Sequence, residues 1–419
     1  MAELRPGVQD AVAPAVATRV LASWPDLGEP RAIVRNGMSA NSLACLVECA
    51  GGRFALKGTR PGRKAAGWLT REHEAMRVAA AAGLPVPAPL ASAAGTTVVA
   101  QDGVEWAVYP EAAGVDRYGE ASVFAPFDTD AEAFSAGAML ARLHLALADL
   151  AWPARPFVGP VAQCDLAFSP DLHRDFRELC RAAAGGTPAL PGQAGGLPGA
   201  GGTADSAARM AQRLSAAGTE ACATDTAGGA GLRAGRDAGE KSCKRRQEVL
   251  GAGEGIPGLA GELPGVTEAL RMFDALRPGT AAILPAPRVI HGDWIKRNLF
   301  FAGDQVAAIL DFDLCNRGYR VFDLALAVSA LAYPWPLLAG GGAPHAAQGE
   351  RLVEGYESVR PLDAAERALL PALLPVCRFE YHLSLALSAL AAGDPAQARW
   401  FWEGQIASLR WWYDRRANA

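Results

Sequence analysis

The sequence lacks any apolar run long enough to be a membrane helix. Its most apolar later stretch, Leu324 to Leu338, is short and interrupted by Pro334 and Pro336, which reads as a buried helix and turn. The first residues, Met-Ala-Glu-Leu-Arg-Pro, hold no continuous apolar segment of the kind a secretory signal carries. An excess of positive charge is missing too. The formal net charge is -4, whereas a general nucleic-acid binder shows a basic domain. The eight cysteines are scattered, with no Cys-x-x-Cys pair and no Cys/His array at zinc spacing. Cys45 and Cys49 share one face of a predicted strand and do not meet. These absences leave a cytoplasmic globular protein with reduced, partly buried thiols as the expectation.

What is present is enough apolar material for more than one core. At 419 residues, 50% hydrophobic and 20% charged, the chain exceeds what a single core supports, and two lobes are expected. The N-terminal part reads as a helix over 7–24, interrupted by Pro14, followed by strands at Ala32–Val34, Leu43–Cys49 and Phe54–Lys57 with a Gly51-Gly52 turn. A helix over Ala65–Ala82 stops at Gly83 with Pro85 beyond. A hairpin of Thr96–Gln101 and Val104–Tyr109 turns at Asp102-Gly103.

Farther on, Ala131–Leu150 is a predicted helix with Leu140, Leu143, His144 and Leu147 on one face; His144 is read as a packing histidine. Asp165–Ala183 is a helical stretch whose Asp171, Asp175, Glu178, Arg174 and Arg177 suit a solvated face. Residues 184–262 are dominated by Gly, Ala, Pro, Ser and Thr, and are expected to be a disordered insertion. The Lys241–Arg246 cluster within them is read as a solvated charge run. Ordered structure resumes with a helix at Val266–Leu276. Asp363 and Glu366 form a capping pattern for a long helix through Leu390, and an aromatic-rich last helix begins at Asp394-Pro395.

One stretch carries chemistry: His291-Gly292-Asp293, Asn298 five positions after Asp293, and Ile309-Leu310-Asp311-Phe312-Asp313. That is the spacing of a kinase catalytic loop followed by its metal-binding loop. Gly303-Asp304 is a turn between Leu299–Phe301 and Val306–Leu310, so the hairpin returns the chain and brings Asn298 level with Asp311. Two hard oxygen ligands on neighbouring strand ends suit Mg²⁺, which keeps waters and bridges phosphates.

These residues, with Phe322-Asp323-Leu324-Ala325, resemble the aminoglycoside phosphotransferase and homoserine/choline kinase-like group of small-molecule kinases. The resemblance covers most of the chain outside 184–262. It implies an α+β, bilobal, protein-kinase-like fold. A nucleotide-binding lobe (1–110), an antiparallel sheet plus helix, would precede a mainly helical lobe (111–183 and 263–419) that carries the catalytic hairpin. It implies ATP and Mg²⁺. Asp293 would take the proton of an acceptor hydroxyl. Asn298 and Asp311 would hold the metal, with Asp313 adding a contact, and His291 would bond the metal-loop backbone.

Lys57, paired with Glu72, would fix the α/β phosphates. Ser39 and Ser42, in the loop Asn36–Ser42, would offer hydroxyls to phosphate oxygens. The hinge Tyr109-Pro110-Glu111 would meet the base through its backbone. Either Arg297 or Lys296 would offset charge on the transferring group, only one pointing inward. Asp323 would brace the catalytic loop. The implied acceptor is a small-molecule hydroxyl, of an aminoglycoside-like antibiotic or an amino alcohol such as homoserine or choline. Glu380 and the acids near 171–178 are candidates for its ammonium. A protein kinase is disfavoured by His-Gly-Asp and by the lack of Ala-Pro-Glu after Asp311. A non-catalytic pseudokinase is disfavoured by the intact aspartates.

Overall fold

The computed structural model describes residues 11–37, 42–60, 64, 67–119, 125–155, 165–183, 263–332, 345–391 and 394–417. Ser39, the expected insertion at 184–262 and the Pro334–Gly342 loop lie outside the described residues.

The N-terminal lobe is an antiparallel sheet of β1 (Pro30–Asn36), β2 (Leu43–Cys49), β3 (Gly52–Thr59), β4 (Val99–Gln101) and β5 (Val104–Pro110), in the order β1-β2-β3-β5-β4. β4 and β5 join through Asp102 and Gly103, both at positive φ (53° and 73°), as a two-residue hairpin demands. The β2–β3 turn is Ala50-Gly51, one residue earlier than expected, because Cys49 pairs with Gly52. Alternate residues of β2 are buried: Cys45, Val47 and Cys49 pack with Leu56, Trp106 and Val108. Helix α1 (Pro14–Leu21) covers them with Ala17, Val20 and Leu21. Pro14 opens this helix instead of interrupting it, since the first turn needs no N–H there.

Helix α2 (Trp68–Ala81) buries Trp68, Leu69, Glu72, Ala75, Met76 and Ala79, one face at three-and-four spacing. Two residues on that face serve the site. Trp68 donates its Nε1 hydrogen to the carbonyl of Cys315 at 3.1 Å, and Glu72 is 2% exposed.

The C-terminal lobe begins after β5. The hinge is tied to the catalytic hairpin by a bridge of Val115 and Phe301, with N–H···O distances of 2.8 and 3.1 Å. Its helices are α3 (Asp130–Ala146), α4 (Leu172–Ala183), α5 (Val266–Leu276), α6 (Arg320–Ala332), α7 (Ala346–Val359), α8 (Ala364–Leu373), α9 (Phe379–Ala391) and α10 (Pro395–Ala417). α3 starts where the Thr129 hydroxyl accepts from Glu132 N at 3.1 Å. It packs closely on α7, where Gly137 faces the backbone of Leu352 and Gly355 faces that of Phe134.

Two expected helices are divided. The stretch from Asp165 is a short 3₁₀ turn at Leu166–Phe168, then α4, because Pro170 cannot continue a helix. The helix from Asp363 has its capping box but ends at Leu373, and α9 starts anew at Phe379. Pro375 lies in the break, without the N–H a continuous helix needs. The last helix uses its aromatics for packing: Trp402 is buried and donates to the carbonyl of Pro264 at 2.8 Å.

Candidate active site

The catalytic loop hangs between two antiparallel pairs, β6 (Arg288–Ile290) with β9 (Asn316–Gly318), and β7 (Leu299–Ala302) with β8 (Gln305–Ile309). Asp323, in the first turn of α6, holds its start. One carboxylate oxygen accepts His291 N at 2.7 Å, and the other accepts Gly292 N at 2.8 Å. The same carboxylate meets His144 Nε2 at 3.1 Å, and His144 Nδ1 lies 2.9 Å from the Tyr356 hydroxyl. All of these groups are buried, and burial pulls the His144 imidazole below its usual pKa. A neutral ring with its proton on Nε2 satisfies both neighbours.

His291 is set by what surrounds it. Its Nε2 lies 2.9 Å from the carbonyl of Leu310, which can only accept, so Nε2 carries the proton. Its Nδ1 then accepts from Asp293 N at 3.3 Å. The ring thus joins the catalytic loop to the strand end before Asp311, and no proton of it faces a substrate. Phe312 packs against it at 4.9 Å between ring centroids.

Asp293 is 8% exposed, and its Oδ2 accepts from Asn298 Nδ2 at 3.0 Å. The same amide nitrogen donates to the Asp293 carbonyl at 2.9 Å, so the NH₂ of Asn298 is spent on Asp293 and its oxygen points elsewhere. The other carboxylate oxygen of Asp293, Oδ1, is buried without a hydrogen-bond partner. Burial, followed by the charge of Asp311, pushes the Asp293 carboxyl up to about 7.

The hairpin delivers Asp311 as its register requires. Leu299 pairs with Ile309, and Leu310 N donates to the Asn298 carbonyl at 2.8 Å. Asp311 itself is left-handed, with φ 57°, which turns the chain sharply into the 3₁₀ turn Phe312–Leu314 and sets Asp313 close by. Lys57, from β3 of the other lobe, reaches both: its ammonium is 3.0 Å from Asp311 Oδ1 and 2.7 Å from Asp313 Oδ1. Burial works to raise the Asp313 carboxyl, but Lys57 and Lys64 outweigh it and hold the group well below the carboxylate range.

Glu72 does not pair with Lys57, contrary to the expected arrangement. Its Oε2 takes the ammonium of Lys64, which also lies 3.1 Å from Asp313 Oδ1. The physical reason is competition: Asp311 and Asp313 together offer Lys57 more negative charge than Glu72 does. Glu72 Oε1 is buried without a partner, and burial pushes the carboxyl up to about 7 against the pull of Lys64. Glu74 lies on another side of α2 and accepts from Trp152 Nε1 at 3.0 Å.

Of the two basic residues after Asp293, Lys296 turns into the protein. It donates to the carbonyls of Ala125 and Pro126 at 2.6 and 3.2 Å and sits 4.8 Å above the Tyr118 ring. Arg297 is exposed. Ser42 stands at the start of β2. Tyr109 directs its hydroxyl to His73 Nε2 at 2.9 Å, and Glu111 is an exposed side chain 3.7 Å from Arg53. Neither side chain joins the aspartates.

Glu380 is buried; its Oε1 accepts from Leu166 N at 2.6 Å at the start of the 3₁₀ turn, and its Oε2 has no hydrogen-bond partner. Asp171 caps α4 by accepting from Arg174 N at 3.0 Å, and Asp175 accepts from Ser169 Oγ at 2.6 Å.

Two residues escaped the sequence reading. Lys64 lies in a basic loop with no repeating pattern, and Arg155 precedes an apolar segment with no motif. Arg155 donates to the Asp313 carbonyl at 2.6 Å and lies 5.5 Å over the Trp68 ring. Only the sequence distance between α2 and the metal loop hides them; a basic residue just before a helix that carries a buried glutamate was the one available signal.

Whether these residues suit a divalent cation can be judged from their donors. Among the described residues, no group of three or more His, Cys, Asp or Glu side chains converges on one point. The set here is an amide oxygen and two carboxylates already drawing in positive charge, plus the orphaned oxygen of Asp293. One or two carboxylates completed by water and phosphates is the habit of Mg²⁺, so the set fits.

A model of the phosphotransferase enzyme family matches residues 33–367, well over half of the chain and spanning every residue of the site. The chain belongs to this family. Among its curated relatives are homoserine kinases from Rhizobium johnstonii, 35% identical over 116 residues, and from Azorhizobium caulinodans, 33% identical over 143 residues. Those matches cover 27% and 34% of this chain, and 34% and 41% of the relatives, so the chain spans well under half of their length. Two solved structures share the family fold. An amicoumacin kinase bound to AMP-PNP, Ca²⁺ and Ami is 14% identical, with a TM-score of 0.51 over 94% of this chain and 92% of that one. A microcompartment-associated aminopropanol kinase is 17% identical, with a TM-score of 0.51 over 95% and 97%. Family membership agrees with the glycine of His-Gly-Asp.

Proposed function

We propose that the chain transfers the γ-phosphoryl group of ATP to a hydroxyl of a small amine-bearing molecule, of the amino-alcohol or aminoglycoside type. The observation that carries this reading is the Asp293–Asn298 pair at one end of the hairpin with Asp311 and Asp313 at its other end, where Lys57 reaches the two aspartates from the opposite lobe. Phosphoryl transfer asks the protein chiefly for positioning and charge neutralisation. The Asp293 carboxylate accepts the proton of the acceptor hydroxyl, while Asn298 keeps it aimed through Oδ2. Burial keeps Asp293 basic enough for that task. Asn298, Asp311 and Asp313 hold Mg²⁺, which when bound neutralises charge on the phosphates. Lys57 binds phosphate oxygens, and Asp323 and His291 keep the loop in register without touching substrate. The names of the homoserine and aminopropanol kinases support an amino alcohol as the first acceptor to try.

The test is transfer from γ-labelled ATP to a panel of homoserine, choline, aminopropanol, aminoglycosides and a generic protein. A labelled amino alcohol or aminoglycoside, lost with Asp293→Ala, is the expected result. Label on the protein alone, or on nothing in the presence of Mg²⁺, sinks the reading. The Asp293→Ala variant should lose on the order of 10²–10⁴ in kcat and keep its ATP affinity.

A further inference from the structure

Lys64 is an ammonium that the expected pair of lysine and glutamate does not provide for. Lys64 is carried on the connection between β3 and α2, and its side chain is only 8% exposed. It touches Glu72 on one side and Asp313 on the other, and the Asp313 oxygen it approaches, at 3.1 Å, is the one Lys57 approaches at 2.7 Å. Glu72 is itself 3% exposed at the side chain, on the buried face of α2. An ammonium brought so far from water by a loop, beside a second ammonium, is costly unless anions converge there.

We propose that Lys64 is a second phosphate-binding lysine, held by Glu72 in the place where the glutamate would be expected to hold Lys57. The assignment rests on the kinase reading above. The two carboxylates that Lys57 and Lys64 now share are those suited to the metal. Once those carboxylates serve a cation, both ammonium groups need other anions, and the nucleotide phosphates are the anions the reaction brings. Glu72 keeps Lys64 close to that position throughout, because its hold on Lys64 does not depend on Asp313. Among the described residues Lys57 has no such second anchor, and its ammonium pairs with Asp311 and Asp313. A short point charge on a flexible stem is suited to following phosphate oxygens in this way.

The experiment is calorimetric binding to the full chain, with Mg²⁺ and AMP-PNP, ADP, AMP or adenosine as ligands. It compares wild type with Lys64→Met, Lys64→Gln and Lys64→Arg. Wild type is expected to bind AMP-PNP far better than adenosine. Lys64→Met and Lys64→Gln should each weaken AMP-PNP binding about tenfold or more, leave adenosine within about twofold, and be largely repaired in Lys64→Arg. Equal losses for adenosine and AMP-PNP would reduce Lys64 to a scaffold for the loop, and AMP-PNP binding unchanged in both neutral variants would also overturn the proposal. A wild type that shows no preference for the phosphorylated ligands would take down the kinase reading itself. A Lys64 failure is distinct from that: wild type would discriminate and the variants would discriminate equally well.

Discussion

A carboxylate with one oxygen bonded and the other orphaned is poised to take a proton, and Asp293 has that form. Two buried histidines elsewhere in the molecule are tuned the opposite way. The imidazoles of His73 and His382 are driven down to about 3, chiefly by burial. For His382 the consequence has a definite sign. A histidine whose folded pKa lies below its unfolded value of 6.5 gives full stability above 6.5 and loses it as pH falls from there toward 3. His382→Gln should therefore flatten the fall in unfolding free energy between pH 6.5 and 5, by up to about 1.4 kcal/mol per pH unit. Denaturant melts of the two proteins across that range check it. An unchanged slope would mean that His382 takes up its proton equally in the folded and unfolded states.

Helices that cross closely leave a signature in their glycines. A Cβ built on Gly355 of α7 would stand 2.0 Å from the carbonyl oxygen of Phe134 in α3, and one on Gly137 would stand 1.9 Å from that of Leu352. Glycine to alanine in an exposed helix stabilises by about 1 kcal/mol, so these sites should reverse the sign. Gly355→Ala is expected to destabilise by about 1–3 kcal/mol, read from the denaturation midpoint, because the helices must separate. A neutral or stabilising result would mean that α3 and α7 sit farther apart in solution.

At this scale much of the chain was legible. Asp102-Gly103 and Gly303-Asp304 fixed two hairpins, and the Asp363–Glu366 box fixed a helix start, because a turn or a cap is decided by a few adjacent residues. The break between α8 and α9 was missed where Pro375 was outweighed by the apolar residues on either side. The spacing of Asp293, Asn298 and Asp311 was readable for the same local reason, since one loop and the hairpin directly after it carry all three. Lys64 was not. Its meeting with Asp313 depends on how the two lobes face each other, which no local pattern records.

The lobes are joined across the cleft by charge as well as by chain. Lys57 on the sheet meets Asp311 and Asp313 on the helical side, and Lys64 ties α2 to Asp313. A ligand taking contacts from both sides should hold the molecule together more than one bound by a single lobe. Mg²⁺ with ATP at about a hundred times its Kd should add about 2.7 kcal/mol to the folding free energy. A thermal melt should show a rise in Tm with Mg·ATP well above that with adenosine at equal concentration, because the added contacts lower its Kd. Equal rises at equal concentration would mean that the phosphates and the metal add nothing to binding, and the charged cleft would not be their site.

Gly292 has φ 82°, and a Cβ there would stand 2.2 Å from the carbonyl oxygen of Leu314. Protein kinases carry arginine at the corresponding place in His-Arg-Asp. Here that arginine would have to pass through the main chain after the metal loop, on a backbone conformation side chains seldom tolerate. No single codon change can therefore carry this loop into the other form; the segment around Leu314 would have to be rebuilt at the same time. On the present backbone that collision alone excludes a side chain beside the catalytic aspartate.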